Sequence, residues 1–423
     1  MVVKEAKAKS AAISKQKELV HKVKKGLSIK RLFTTNGADP FSQVHYEKRS
    51  SIITNPDGSV VFRMDEVEVP ETWSQLATDI LVSKYFRKRG VPKTDHENSI
   101  RQVVFRIAHT IRQAGEEAGG YFINSEDSEV FEAELTHLLL NQGCAFNSPV
   151  WFNCGLNHVY DIEGSGGNWH WNSETNNIEV TSNSYKHPQS SACFIQSVND
   201  DLMSIFELAK TEAKLFKFGS GTGTNFSSLR SKYEKLSGGG TSSGLMSFLE
   251  VLDRGAGATK SGGTTRRAAK MVCLDIDHPE IEDFITWKVK EEKKVAALIS
   301  GGYSSDFNGD AYHTVSGQNS NNSVRIPDSF MYAYLNDKKW ETKCRTTSET
   351  HQSYRARDIM HQIAEATWRC ADPGLQFDST INKWHTCKQS GKINASNPCS
   401  EYMFLDNSAC NLASINLMKF YDD

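Results

Sequence analysis

Large apolar side chains return at intervals of three and four in the early part of the chain. Trp73, Leu76, Ala77, Ile80, Leu81 and Tyr85 form one such series, and Val104, Ile107, Ala108 and Ile111 another. That spacing gathers side chains on one face of an α-helix, so both series predict amphipathic helices. A third helix is predicted over roughly 128 to 141, through Phe131, Leu135, Leu138 and Leu139. Upstream, residues 52 to 62 hold two short β-rich runs around Asn55-Pro56-Asp57-Gly58, which predicts a hairpin.

From about residue 145 the texture changes. Short apolar runs broken by Gly, Ser and Asn alternate with longer helical patterns such as 200 to 217 and 245 to 254. That alternation predicts βα units around a sheet or barrel. Residues 157 to 190, with Gly164-Ser165-Gly166-Gly167-Asn168 and few aliphatic side chains, read as a long inserted loop. Phe284, Ile285 and Trp287 precede the charge run Lys288 to Lys294, which reads as a solvated helix face.

Charge narrows the function classes. With 49 basic and 51 acidic side chains the formal net charge is −2, so no global field favours nucleic acid. Residues 1 to 30 carry nine Lys against two Glu and read as a basic disordered arm, the alternative being a phosphate-binding one. The expected organisation is that arm, a mainly helical region with a hairpin over 31–144, and an α/β portion over 145–423. The nine cysteines form no Cys-x-x-Cys pair, which argues against a secreted disulfide framework and a zinc ribbon; no metal site is expected. No run of 18 apolar residues and no signal-peptide core occur, so the expected setting is cytoplasmic.

Three glycine-rich segments lie within fifty residues: Gly219 to Asn225, Ser237 to Thr241 and Ser261 to Arg267. Glycine lets backbone amides approach an anion, and Arg230, Lys260, Arg266 and Arg267 supply charge nearby. Each segment alone is equally a plain turn, and none is a Walker motif. Together they point to one or more nucleotide sites.

The densest chemistry lies late in the chain, in Asn397-Pro398-Cys399-Ser400-Glu401, with Cys410 eleven residues beyond Cys399. In an extended segment, an amide, a thiol and a carboxylate at alternate positions project together. A second thiol serving the same site suggests a reduction.

Five motifs then occur in order: Phe146 to Asn153, Ser191-Ala192-Cys193-Phe194-Ile195, Gly221 to Phe226, Ser261 to Met271 and Asn397 to Glu401. Over about residues 35 to 423 the chain resembles the ribonucleotide reductases, most nearly the adenosylcobalamin-dependent class II enzymes. The resemblance implies that Cys399 becomes a thiyl radical and abstracts the 3′ hydrogen of the ribose. Glu401 would take the 3′ hydroxyl proton and Asn397 would hydrogen-bond the ribose hydroxyls. Cys193 and Cys410 would be the redox pair that ends as a disulfide. Ser148 would bind substrate phosphate, Ala192 and Cys193 would line the substrate site, and Gly221 would lie against the ribose. Asp200, Arg230, Lys260 and Arg266 would contact a deoxynucleotide effector; the alternative for Asp200 is an N-cap for the helix that follows it, a role compatible with effector contact.

The implied cofactor is adenosylcobalamin, and the implied partners are a ribonucleotide, a dNTP effector, a thioredoxin-like or dithiol reductant and a second copy in a homodimer. Cys410 and Glu401 weigh against a glycyl-radical reductase. The alternatives are a large-subunit fragment of a class I reductase and a non-catalytic nucleotide-binding relic. The family's catalytic domain is a ten-stranded α/β barrel of two halves around a central finger loop. On that pattern this chain is expected to hold the first half and the loop, as a truncated or split chain that needs a C-terminal half.

Overall fold

A computed structural model describes residues 26–54, 58, 60–259, 268–306 and 309–422. The chain forms two compact units, one containing the described residues up to Ser190 together with 413–422, the other running from Ser191 to Leu412. Residues 145–190, which the sequence pattern groups with the catalytic portion, therefore pack in the first unit. Most of the basic arm, as well as Lys260 and Arg266, lies outside the described residues.

The first unit opens on the expected hairpin, β1 (Tyr46–Thr54) antiparallel to β2 (Val60–Pro70), with register shifts at Arg49/Ser51 and Ile53/Thr54. The helix Ile100–Ala118 starts at a capping box in which Ser99 and Gln102 satisfy each other's backbone amides. Asn124 caps the helix Ser125–Leu140. The series from Trp73 to Tyr85 yields an α-helical stretch, Gln75–Ile80, that widens into a π-turn over Leu81–Tyr85. Val67, Val69, Leu81, Val104, Ile107, Leu139 and Trp151 close the core. The strand β3 (Cys144–Phe146) pairs with Ala413–Ile415, and the helix Ser148–Asn153 buries Val150 and Trp151, which is why these segments join this unit. The region 157–190 is not a featureless loop: β4 (Trp169–Asn172) and β5 (Asn177–Val180) form a second hairpin within it.

The second unit is built on a six-stranded sheet. In spatial order it runs β12 (Gly374–Phe377), β9 (Ser320–Ile326), β8 (Lys270–Asp275), β7 (Gly221–Asn225), β6 (Cys193–Gln196) and β15 (Ser408–Cys410). The first five are parallel and β15 is antiparallel to β6. A separate ribbon pairs β10 (Lys339–Lys343) with β11 (Thr350–Arg355). Among the described residues the sheet stays open and closes no barrel.

Strand alternation gives this sheet two different faces. Val272, Leu274, Val324 and Ile326 point to one face, where they pack under Ile205, Leu249, Phe284, Ile285 and Ile363 of the helices Leu202–Lys217, Gly244–Ala258, Ile281–Ser300 and Ala356–Cys370. Fully burying each such side chain stabilises by about 1.5–3 kcal/mol. Ile195, Met271 and Cys273 point to the other face and meet Ala395, Tyr402 and Phe404 of a short hairpin.

Gly221–Asn225 is an inner strand, not a phosphate loop: its amides enter the ladder, with Gly221 N–H donating to the Ala192 carbonyl at 2.7 Å. The charge run 288–294 is not wholly solvated. Glu291 is buried and accepts the Ser316 amide at 3.0 Å, and Lys288 pairs with Asp372, because this turn of the helix Ile281–Ser300 faces protein rather than water. No described helix is long and apolar enough to cross a membrane.

Candidate active site

The hairpin on the second face joins β13 (Ala395–Ser396) to β14 (Met403–Phe404), with Asn397 N–H donating to the Tyr402 carbonyl at 3.0 Å. Its loop holds Pro398, Cys399, Ser400 and Glu401. The segment is a tight turn, not the extended stretch that alternate spacing assumes. Ser400 sits in the left-handed region at φ 62°, and its amide donates to the Asn397 carbonyl at 3.1 Å. Asn397 is therefore fully buried beneath the turn, while Cys399 and Glu401 are exposed above it.

Glycine makes this approach possible. A Cβ at Gly223 would lie 1.7 Å from the Ser396 carbonyl oxygen, and one at Gly221 would lie 2.8 Å from Pro398 Cγ. The hairpin can thus lie across β7 only where that strand has no side chains.

Below the turn lie two thiols. Cys193, on β6, and Cys410, on β15, are direct register partners. Such partners stand about 4.5–5.5 Å apart at Cα, within the roughly 4.4–6.8 Å that a disulfide spans. Both are free thiols. The Asn397 side-chain amide donates to Cys193 Sγ at 3.1 Å, and the Cys193 thiol donates to Glu401 Oε1 at 3.8 Å. Burial pushes the Cys193 thiol up to about 12, with Cys410 and Glu401 adding to the rise and the Asn397 amide opposing it. Burial also raises Cys410, against its contact with Cys193. Both thiols are held protonated at neutral pH, which suits a dithiol that gives up two electrons and becomes a disulfide.

The remaining predicted residues fall into three groups. Ala192 precedes β6, and its amide donates to the Cys410 carbonyl at 3.0 Å. Asp200 accepts both the backbone amide of Arg230, at 3.1 Å, and its Nε, at 2.6 Å. It does not cap the helix Leu202–Lys217; Asp201 does, accepting from Ser204 N–H at 2.9 Å. Ser148 belongs to the first unit, where it begins a helix capped by Asn147 and meets the Tyr85 hydroxyl at 3.1 Å.

Sequence reasoning passed over the residues that hold the hairpin down. Asn225 donates to the Asn394 carbonyl at 2.9 Å, Asn321 to the Pro398 carbonyl at 2.8 Å, and Gln376 to Ser396 Oγ at 2.8 Å. Only Asn225 stood in a recognised motif; the others are polar residues on strands with no local signal.

These features define an α/β protein whose sheet carries a pair of facing thiols, Cys193 buried and Cys410 half-buried, beneath a thiol-tipped turn. A family model described as the ribonucleotide reductase barrel domain matches residues 191–423, and one described as class II vitamin B12-dependent ribonucleotide reductase matches residues 47–142. The vitamin B12-dependent ribonucleotide reductase of Rhodopirellula baltica is 53% identical over 389 residues, covering 91% of this chain and 37% of that protein. Those of Bradyrhizobium diazoefficiens and Streptomyces coelicolor are 44% and 48% identical, over 94% and 95% of this chain and 40% and 39% of their own lengths. The chain belongs to the ribonucleotide reductase family, in its class II, vitamin B12-dependent branch. It spans about two fifths of the length of these relatives.

Proposed function

We propose that the chain carries the thiol chemistry of a reductase that converts ribonucleotides to 2′-deoxyribonucleotides. The observation that carries this reading is the meeting of Cys193 with Cys410, Asn397 and Glu401 at the Cys399 turn. A non-catalytic nucleotide-binding role leaves the paired thiols without a task.

In this reading Cys399, as a thiyl, takes the 3′ hydrogen atom of the ribose, while Glu401 accepts the 3′ hydroxyl proton and Asn397 orients the hydroxyls. The 2′ hydroxyl leaves as water. Cys193 and Cys410 supply two electrons and their hydrogens and end as a disulfide, and Cys399 returns the 3′ hydrogen. The net change is one ribonucleotide and one dithiol converted to one deoxyribonucleotide, one disulfide and one water. An external thioredoxin-like dithiol then resets the pair by exchange.

Adenosylcobalamin, when bound, supplies the radical. The exposure of Cys399 at the tip of a turn fits a group that must reach that sulfur from outside the sheet. In the family's architecture the open sheet and its hairpin correspond to one half of the ten-stranded barrel and its finger loop. Ser148, Ala192 and Gly221 would contact substrate. Asp200, Arg230, Lys260 and Arg266 would serve a deoxynucleotide effector in a cytoplasmic homodimer.

The test is cytidine nucleotide reduction by the assembled enzyme with adenosylcobalamin and a dithiol. Cys399→Ser should abolish it, and Cys410→Ser should stop multiple turnover. Full activity in either variant would refute the assignment.

A further inference from the structure

The Cys399 turn is tied to strands on the side of the sheet away from the thiol pair. Gln376, on β12, is buried and engages both ends of its amide. Its Oε1 accepts from Arg325 Nη1 at 2.9 Å, and its Nε2 donates to Ser396 Oγ at 2.8 Å and Ser400 Oγ at 3.3 Å. Arg325, equally buried, is itself fixed by Asp378 and by the Ile393 carbonyl at 2.8 Å. On β9, Asn321 Nδ2 donates to the Pro398 carbonyl at 2.8 Å. The residues on either side of Cys399 are thus held from β9 and β12, while Asn397 is held from β6 by Cys193.

We propose that Gln376 and Asn321 are positioning residues that mount the Cys399 turn on the sheet and so fix where its sulfur stands. The functional half of this proposal rests on Cys399 being the hydrogen-abstracting thiol. The geometric half does not. A buried amide that donates to two serine hydroxyls selects one orientation of the turn, because any other leaves polar groups unpaired in the interior. Hydrogen transfer demands such control, since a misplacement of about 1 Å can cost on the order of 100-fold in rate. Arg325 and Asp378 keep the Gln376 amide from rotating, so the mounting runs from one edge strand to the tip of the turn.

The test uses Gln376→Met, which keeps the bulk but loses the N–H groups facing the serines and leaves no oxygen for them to donate to, and Asn321→Asp, which loses the donor to Pro398. Two quantities are measured. One is amide hydrogen exchange of Ser400 and Tyr402, both hydrogen-bonded inside the turn, relative to the amides of β8. The other is kcat and KM for ribonucleotide reduction. Exchange in the turn should rise at least about tenfold relative to β8, with kcat falling by on the order of 100-fold and KM within about twofold. An unchanged exchange ratio overturns the mounting. So does a rise shared equally by β8, which would mark general destabilisation, or a raised ratio with unchanged kcat. If the wild-type enzyme reduces no ribonucleotide, the reading of Cys399 fails instead, and the exchange ratio alone decides whether Gln376 and Asn321 hold the turn.

Discussion

Two glycine-rich segments of one chain, Gly219 to Asn225 and Ser237 to Thr241, look alike as text and do opposite things. In the first, glycine is required by contact. β7 lies under the hairpin, and a Cβ at Gly223 would overlap the Ser396 carbonyl. In the second, Gly238, Gly239 and Gly240 have nothing within 4 Å of where a Cβ would stand. Gly239 is there for its backbone, at φ 90°, closing a turn in which Leu236 N–H donates to the Gly240 carbonyl at 2.7 Å. The base of that second loop is rigid although its tip is open. Glu280 accepts the amides of both Lys232, at 3.1 Å, and Leu245, at 2.8 Å, and Glu234 holds Ser231 and Thr346. Glycine content thus marks a packed crossing in one place and a clamped, open loop in the other.

The largest effect that separates the two segments should come from Gly223→Ala. The added methyl forces the hairpin off the sheet, so urea unfolding should show a loss of about 1–3 kcal/mol or more, and the Cys193 and Cys410 thiols should become readily alkylated. Wild-type stability in that variant would show that the hairpin does not need the close approach.

A comparable effect, spread over a range of pH, should come from the base of the loop. His278 is fully buried; its Nδ1 accepts the Glu280 amide at 3.1 Å, leaving Nε2 to donate to the Leu229 carbonyl at 2.8 Å. Burial lowers its pKa from 6.5 to about 4. A depressed histidine means that the unfolded chain binds the extra proton first. Its contribution is therefore complete above about pH 6.5 and is lost as pH falls toward 4, on the order of 3 kcal/mol in all. Urea unfolding across that window should be steeper in the wild type than in His278→Gln. Parallel slopes would contradict the assignment.

The smallest effect belongs to Gly238→Ala, where no neighbour opposes the methyl. Stability should stay within about 0.5 kcal/mol of wild type, with any change stabilising through the unfolded chain. A loss as large as that at Gly223 would erase the distinction between the segments.

Much of the local structure was legible along the chain. The helices around Ile107, Leu135, Leu208 and Leu249 stand where apolar spacing predicts them, because a helix must bury one stripe wherever it packs. The hairpin around residues 55–58 followed from its turn residues. The late thiols and their flanking amide and carboxylate were also visible, since a motif of adjacent residues is preserved in any fold. Less legible was the partition at 190/191, which depends on Val150 and Trp151 entering a core formed by earlier helices. Equally hidden were Glu291, which reads as one more charge in a solvated run, and the helix cap at Asp201, where two aspartates stand side by side and only geometry separates them.

The sequence by itself determined which elements form and which chemical groups the chain offers: periodicity and residue type are local properties and need no partner. Tertiary structure alone decided that Cys193 and Cys410, more than two hundred residues apart, stand opposite each other, because strand register sets that pairing. It also decided that Gly221 and Gly223 serve a crossing rather than a phosphate, and that Gln376 and Asn321 reach the Cys399 turn. Those facts depend on which surfaces meet, and close packing of a sheet against a hairpin is a condition that no single segment contains.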